Sequence, residues 1–250
     1  MKNKKIDDFL RFCVGNGKLA IIEKNKRISF GEFSEDCFKM KSLLGEKLPR
    51  GEKALVFVYP YSYLFYVLIF GGIMAGAKLV IIDSFADKDR VKKLTESAGC
   101  NYALTGGLAR CLSFKLPKLK KIDVGRFKNY EKAAAECGGA SVTTFTSGTT
   151  GFPKPVERSA DFLLGQADFI RKNVKLGENE VVFCGLPMYS VLSVFSGYTT
   201  VISGKINREV TAVITSIRKA LSFPVCGGVK NGFLGGAILY GEEAAKISSV

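Results

Sequence analysis

The chain contains no histidine and no tryptophan. The missing histidine excludes a Ser-His-Asp triad, a Cys-His pair, a His-ligated zinc and any imidazole acid or base. Catalysis must then use hydroxyls, amines, carboxylates, thiols or backbone amides. No Cys-x-x-Cys occurs among the seven cysteines, at 13, 37, 100, 111, 137, 184 and 226. Their odd number and irregular spacing support neither a zinc site nor a thioredoxin-type motif. Free thiols in a reducing compartment fit, so a cytoplasmic location is expected. No signal peptide is expected, because MKNKKIDDFLRF reaches Asp7 and Asp8 before any apolar run. Acidic residues are few: 23 Asp+Glu against 37 Lys+Arg, a net charge of +14. Such a surplus favours anionic partners: nucleic acid, an acidic membrane face or phosphate-bearing small molecules. Residues 98–122 hold Arg110, Lys115, Lys118, Lys120 and Lys121 without an acid. They lack the interleaved aromatics and Arg-Gly pattern of RNA modules, so a solvated strip is expected there and no nucleic-acid partner.

What is present is enough for a packed interior. Over 250 residues, 47% are hydrophobic and 24% charged, which allows one large domain or two small ones. Intrinsic disorder, collagen-like repeats and small disulfide scaffolds are excluded. Ala54–Ala77 carries no charge. As one helix it would reach about 36 Å, enough for a bilayer of about 30 Å. Pro60 interrupts it, and Tyr59-Pro60-Tyr61-Ser62 reads as a turn. The alternative is strand ALVFVY, a turn, a buried helix through Ala75 and strand KLVIID.

The coarse pattern alternates. Helices are expected at 3–14, 30–44, 62–75, 87–97, 159–173 and 209–220. Strands are expected at 19–23, 26–29, 54–59, 78–82, 101–105, 141–146, 181–186 and 198–202. Ser29-Phe30-Gly31-Glu32 has the form of a capping box. Residues 106–140 are less regular. From Gly227 to Gly241 there are six glycines, and the pattern places no element. The whole is an α/β protein with a mostly parallel sheet covered by helices on both faces.

One string carries chemistry: Thr146-Ser147-Gly148-Thr149-Thr150-Gly151-Phe152-Pro153-Lys154. It follows a β-branched strand and lies a few residues before a helix. Glycines let a backbone approach a ligand closely. Successive amides can then form an anion-binding nest, with hydroxyls as added donors. Lys154 adds a mobile positive charge for a terminal phosphate. The residues describe a polyphosphate cradle, with a nucleotide's β and γ groups the natural occupant. The string is neither a Walker A loop nor G-x-G-x-x-G.

TFTSGTTGFPKPVERS resembles the signature phosphate loop of the acyl-adenylate-forming (AMP-binding) superfamily. Acyl- and aryl-CoA synthetases and nonribosomal peptide synthetase adenylation domains belong there. Val56–Ser62, Asn101–Thr105 and Val182–Tyr189 resemble further stretches of its N-terminal part. The resemblance implies an α/β fold over residues 1–205, with 206–250 an unassigned helix and Gly-rich tail. It makes residues 54–77 a core unit, so no membrane partner is expected. It implies that a small carboxylic acid is activated as acyl-AMP with ATP and Mg2+. Transfer to CoA or to the phosphopantetheine of an acyl carrier protein would follow. Thr146, Ser147, Gly148, Thr149, Thr150, Gly151 and Lys154 would hold the β and γ phosphates. No catalytic residue and no protein metal ligand is assigned.

Three features depart from the family. Pro155 stands where the usual motif has glycine. Ser190 stands where many members carry an aromatic-His pair at the acyl pocket. Family enzymes are also roughly twice this size. Their Tyr-Gly-x-Thr-Glu, Thr-Gly-Asp and C-terminal lysine motifs are not found, and Tyr240-Gly241-Glu242-Glu243-Ala244 is a poor copy of the first. A truncated ligase, weak or inactive alone, is therefore expected. The alternatives are a remnant or half-subunit completed by a complementing C-terminal half, and a basic phosphate- or nucleic-acid-binding module.

Overall fold

The computed structural model describes residues 4–59, 62–82, 87–111, 116, 118–132, 139–146, 152–173, 180–184, 187–202, 210, 212–216 and 231–235. The chain folds into two compact units. Met1–Val14 and Gly31–Leu164 form the first; Gly15–Phe30 and Gly165–Val250 form the second.

The first unit begins with α1 (Lys4–Cys13) and most of α2 (Phe30–Lys47). Then come β3 (Lys53–Tyr59), α3 (Tyr63–Met74), β4 (Lys78–Val80), α4 (Lys88–Ala98), β5 (Cys100–Gly107), β6 (Lys120–Asp123), β7 (Ser141–Thr146) and β8 (Lys154–Ser159). The strands form one sheet in the order β6-β5-β3-β4-β7-β8. Every neighbouring pair is parallel except β7 and β8, which are antiparallel.

The uncharged run at 54–77 becomes the centre of this unit. Ala54, Leu55, Val56, Phe57 and Val58 are all buried, as a strand covered on both faces must be. Phe65 through Met74 of α3 are buried without a break, the pattern of a helix enclosed by protein. Among the described residues no helix is long and apolar enough to cross a membrane. On one sheet face Leu55, Phe57, Val80 and Ile82 pack with Val91, Leu94 and Ala98 of α4. That helix is fixed at both ends. The Asp87 carboxylate accepts from the amides of Asp89 and Arg90, and Gly99 ends the helix at φ 71°. On the other face α3 lies so close that a Cβ on Gly72 would be 2.8 Å from Leu79 Cδ1.

The second unit pairs the hairpin β1 (Leu19–Glu23) and β2 (Lys26–Ser29) with β9 (Val181–Cys184), β10 (Thr199–Val201), β11 (Ala212–Ser216) and β12 (Asn231–Gly235). The order is β12-β11-β9-β10-β1-β2, parallel except for the hairpin. Most of α5 (Ala160–Asn173) and all of α6 (Pro187–Phe195) belong here. Thr200 Oγ1 donates to Ser193 Oγ at 2.9 Å, joining β10 to α6 through buried hydroxyls.

The mostly parallel α/β character holds, distributed over two six-stranded sheets. Three local expectations are corrected. Within the helix expected at 209–220, residues 212–216 are instead strand β11: Val213, Ile214 and Thr215 are β-branched, and Val213 and Ile214 pair on both sides. The unplaced Gly-rich tail contains β12. The stretch between the phosphate string and the helix expected from 159, where no element was placed, belongs to β8.

Candidate phosphate-binding site

β7 ends at Thr146 and β8 starts at Lys154, and these two residues are direct partners in the ladder. Their hydrogen-bonding class follows from one contact. The Ala160 amide donates to the Ala140 carbonyl at 3.0 Å, and the register Ser141↔Ser159 makes that pair continuous with the hairpin. Bonded and non-bonded pairs alternate along antiparallel strands. Counting up from 140/160, the pairs 142/158, 144/156 and 146/154 are bonded, whereas 145/155 is not. Thr146 and Lys154 therefore close the loop with a bonded pair, their side chains on the same face. Both are exposed. Ser147, Gly148, Thr149, Thr150 and Gly151 lie outside the described residues, as does Tyr240–Ala244.

The alternation also explains why proline is tolerated at 155. In a non-bonded pair the amide points away from the partner strand, and β8 is the outermost strand of its sheet. Pro155 thus removes no bond from the ladder. Its partner Phe145 packs against the α4-side cluster.

Charged residues at the base of the hairpin were not singled out by sequence. Ser141 Oγ donates to Glu157 Oε1 at 2.7 Å, and Lys53 Nζ lies 2.9 Å from Glu157 Oε2. The Ser141 hydrogen bond, then Lys53, holds the Glu157 carboxyl below its ordinary pKa. On the opposite face Arg158 Nη1 donates to Thr144 Oγ1. A charge alternation in Glu157-Arg158 beyond the loop was the available signal, and it reads as a strand only once β7 is recognised as its partner.

A depressed carboxylate stabilises the fold above its unfolded pKa of about 4.3, and that contribution is lost as pH falls through the lower folded value. The Glu157 side chain is 42% exposed, so solvent screening limits the effect to about 0.5 kcal/mol. Urea denaturation at pH 7 and pH 3 should show wild type losing more stability on acidification than Glu157→Gln. Equal losses would remove Glu157 from the hairpin base.

The other sequence candidates lie elsewhere in the fold. Lys118, Lys120 and Lys121 are exposed on and just before β6, an edge strand. Arg110 and Arg126 both pair with Asp123, at 3.0 and 3.4 Å. Lysines on a sheet edge also discourage unwanted strand pairing. Ser190 is buried on α6. The five described cysteines, 13, 37, 100, 111 and 184, are free. Burial pushes Cys13, Cys100 and Cys184 up to about 12, which makes them inert as thiolate nucleophiles. No metal-binding cluster of acidic, histidine or cysteine side chains occurs among the described residues.

A family model described as AMP-binding enzyme matches residues 14–207. Phenyloxazoline synthase MbtB of Mycolicibacterium paratuberculosis is 29% identical over 140 residues, covering 54% of this chain and 12% of MbtB. O-succinylbenzoate coenzyme A synthetase (MenE) from Bacillus subtilis, in complex with AMP, superposes on the whole chain with a TM-score of 0.77 at 17% identity. The crystal structure of VinN does so with a TM-score of 0.80 at 16% identity. The chain covers 57% of that MenE chain and 74% of VinN. It thus spans little more than half of MenE and a small part of MbtB.

Proposed function

The chain belongs to the AMP-binding enzyme family, and from that membership we propose that it serves ATP-dependent activation of a carboxylic acid as an acyl-adenylate. The reading rests on one observation above others. Thr146 and Lys154 form a bonded strand pair at the mouth of a Ser/Thr/Gly-rich loop. A hydroxyl and an ammonium group on one face suit a polyphosphate. MenE also has a structure in complex with ATP and magnesium ion.

In the proposed reaction a carboxylate oxygen attacks the α-phosphorus of ATP. The bond from that phosphorus to the β-phosphate oxygen breaks, and pyrophosphate leaves. An acceptor thiol, on CoA or a carrier phosphopantetheine, then takes the acyl group and releases AMP. Lys154 and the loop hydroxyls bind and orient the β and γ phosphates, opposing charge that builds on the leaving pyrophosphate. Bound magnesium would supply further charge neutralisation on those phosphates. None of this needs an imidazole, which suits a chain without histidine. Residues 1–205 are proposed as the family domain, and the free cysteines favour the cytoplasm.

Acid-dependent exchange of labelled pyrophosphate into ATP tests the reading. Exchange above blank with some carboxylic acid is expected. A second reading, a half-subunit completed by another polypeptide, is favoured by the 57% coverage of MenE. It predicts blank exchange alone and recovery on adding the family's C-terminal portion.

A further inference from the structure

A loop that must hold several negative charges depends on the stiffness of the strands beneath it. Among the described residues β8 has a hydrogen-bonded neighbour on one side only, because it ends the sheet order. Its side chains supply additional ties on both faces. Glu157 reaches Ser141 and Lys53 on the face that carries Phe145. Arg158 works on the opposite face, the one shared by Thr144, Thr146, Val156 and Lys154.

The direction of the Arg158 contact matters. Its ladder partner is Val142, yet Nη1 donates to Thr144 Oγ1, one step nearer the loop. Nη1 also lies 3.5 Å from the Val156 carbonyl. The guanidinium therefore bridges both strands diagonally, immediately below the Thr146/Lys154 pair. Four residues separate Arg158 from Lys154, about 13 Å along a strand, so Arg158 sits at the base and not at the mouth. Here a planar, permanently charged donor serves better than a flexible lysine.

We infer that Arg158, acting through Thr144, is a positioning residue that pre-sets the Thr146/Lys154 spacing for a polyphosphate. This rests on the reading of residues 146–154 as a phosphate loop. Pre-organisation lowers the ordering cost paid at binding. Its loss should weaken binding more than it weakens the fold.

The probe is inorganic tripolyphosphate, with affinity measured by calorimetry and folding by thermal denaturation. Thr144→Val removes the acceptor without changing any charge. It should weaken tripolyphosphate binding about fivefold to tenfold while the melting temperature moves little. Thr144→Ser, which keeps the hydroxyl, should restore binding. Adding Arg158→Ala to Thr144→Val should cost little more, because both changes break the same contact. Wild-type binding in Thr144→Val, or fully additive losses in the double variant, would overturn the assignment and leave the loop reading intact. No binding by the wild type would remove the loop reading and this inference together. Should Arg158→Ala fail to fold, the Thr144 pair still decides.

Discussion

Replacing Lys154 by alanine is expected to lower tripolyphosphate affinity and acid-dependent pyrophosphate exchange about 10- to 100-fold. A hydrogen bond between charged groups contributes about 1.5–3 kcal/mol, and each 1.4 kcal/mol is about a factor of ten. Several features place the effect in that range. Lys154 begins β8, in a bonded pair with Thr146, so its backbone is fixed while its exposed ammonium stays mobile. The chain has no histidine to replace that charge. Exposure also means that little of the fold depends on it, and surface substitutions usually change stability by about 0.5 kcal/mol or less. A large binding loss with an unchanged melting temperature is therefore the specific signature.

Two further readings sharpen the test. Wild-type affinity should fall with added salt, as exposed charge pairs are screened over about 10 Å at 0.1 M. The alanine variant should show a shallower dependence. Lys154→Arg should retain much of the affinity, because the charge remains although its geometry changes. Alanine and wild type with equal tripolyphosphate affinity would sink the assignment of Lys154. Blank exchange by the wild type with every acid would instead end only the claim of autonomous catalysis.

The parts legible in the sequence were those whose signal is local. Pro60 and the uncharged run around it defined β3, α3 and β4, since a break inside 24 uncharged residues leaves few other solutions. The charged stretch at 87–97 marked α4, and the structure caps that helix with Asp87 and Gly99. The string at 146–154 drew attention through its density of hydroxyls and glycines, and of it the structure shows the Thr146/Lys154 pair. The missed parts depend on partners distant in sequence. Lys154–Ser159 carries a proline and alternating charges, and it becomes a strand because β7 offers a ladder whose open positions accept Pro155. Asn231–Gly235 has two glycines in five residues, and its strand state comes from pairing with β11. Lys120–Asp123 shows only two lysines and two other residues, yet β5 recruits it in parallel register. The two-sheet arrangement is likewise a property of pairing, invisible to periodicity. For the same reason Glu157 and Arg158 looked like ordinary surface charges. Their role depends on Ser141, Thr144 and Lys53, which only the folded sheet brings near.

Gly71→Ala in α3 should destabilise the protein by about 2 kcal/mol, against the direction that helix propensity alone gives. Alanine in a helix interior is favoured over glycine by about 1 kcal/mol. At Gly71 that gain is opposed by crowding. An added Cβ would lie 2.6 Å from Met40 Cβ, 2.7 Å from Met40 Cγ and 2.9 Å from the Cys37 carbonyl oxygen. The first is the root of a fully buried side chain and the last is α2 backbone. Neither is a flexible tip, so α2 and α3 must move apart. Overpacking of this kind costs about 1–3 kcal/mol and sometimes more. Three contacts under 3.0 Å put Gly71 at the upper end, about 3 kcal/mol, which the propensity gain of about 1 kcal/mol reduces to about 2 kcal/mol. Separation would also disturb the edge-to-face contact of Phe33 with Phe70, whose ring centroids are 4.8 Å apart. For a protein of this size, 2 kcal/mol corresponds to a melting shift of roughly 4–8 °C. Gly45→Ala, in the last turns of α2, supplies the control. A Cβ there meets nothing within 4 Å, so propensity acts unopposed and a gain of about 0.5–1 kcal/mol is expected. The same substitution should thus raise the melting temperature at one helical glycine and lower it at the other. A rise at both would mean that α2 and α3 do not approach through Gly71, and the helix layer behind the phosphate-loop sheet would have to be packed differently.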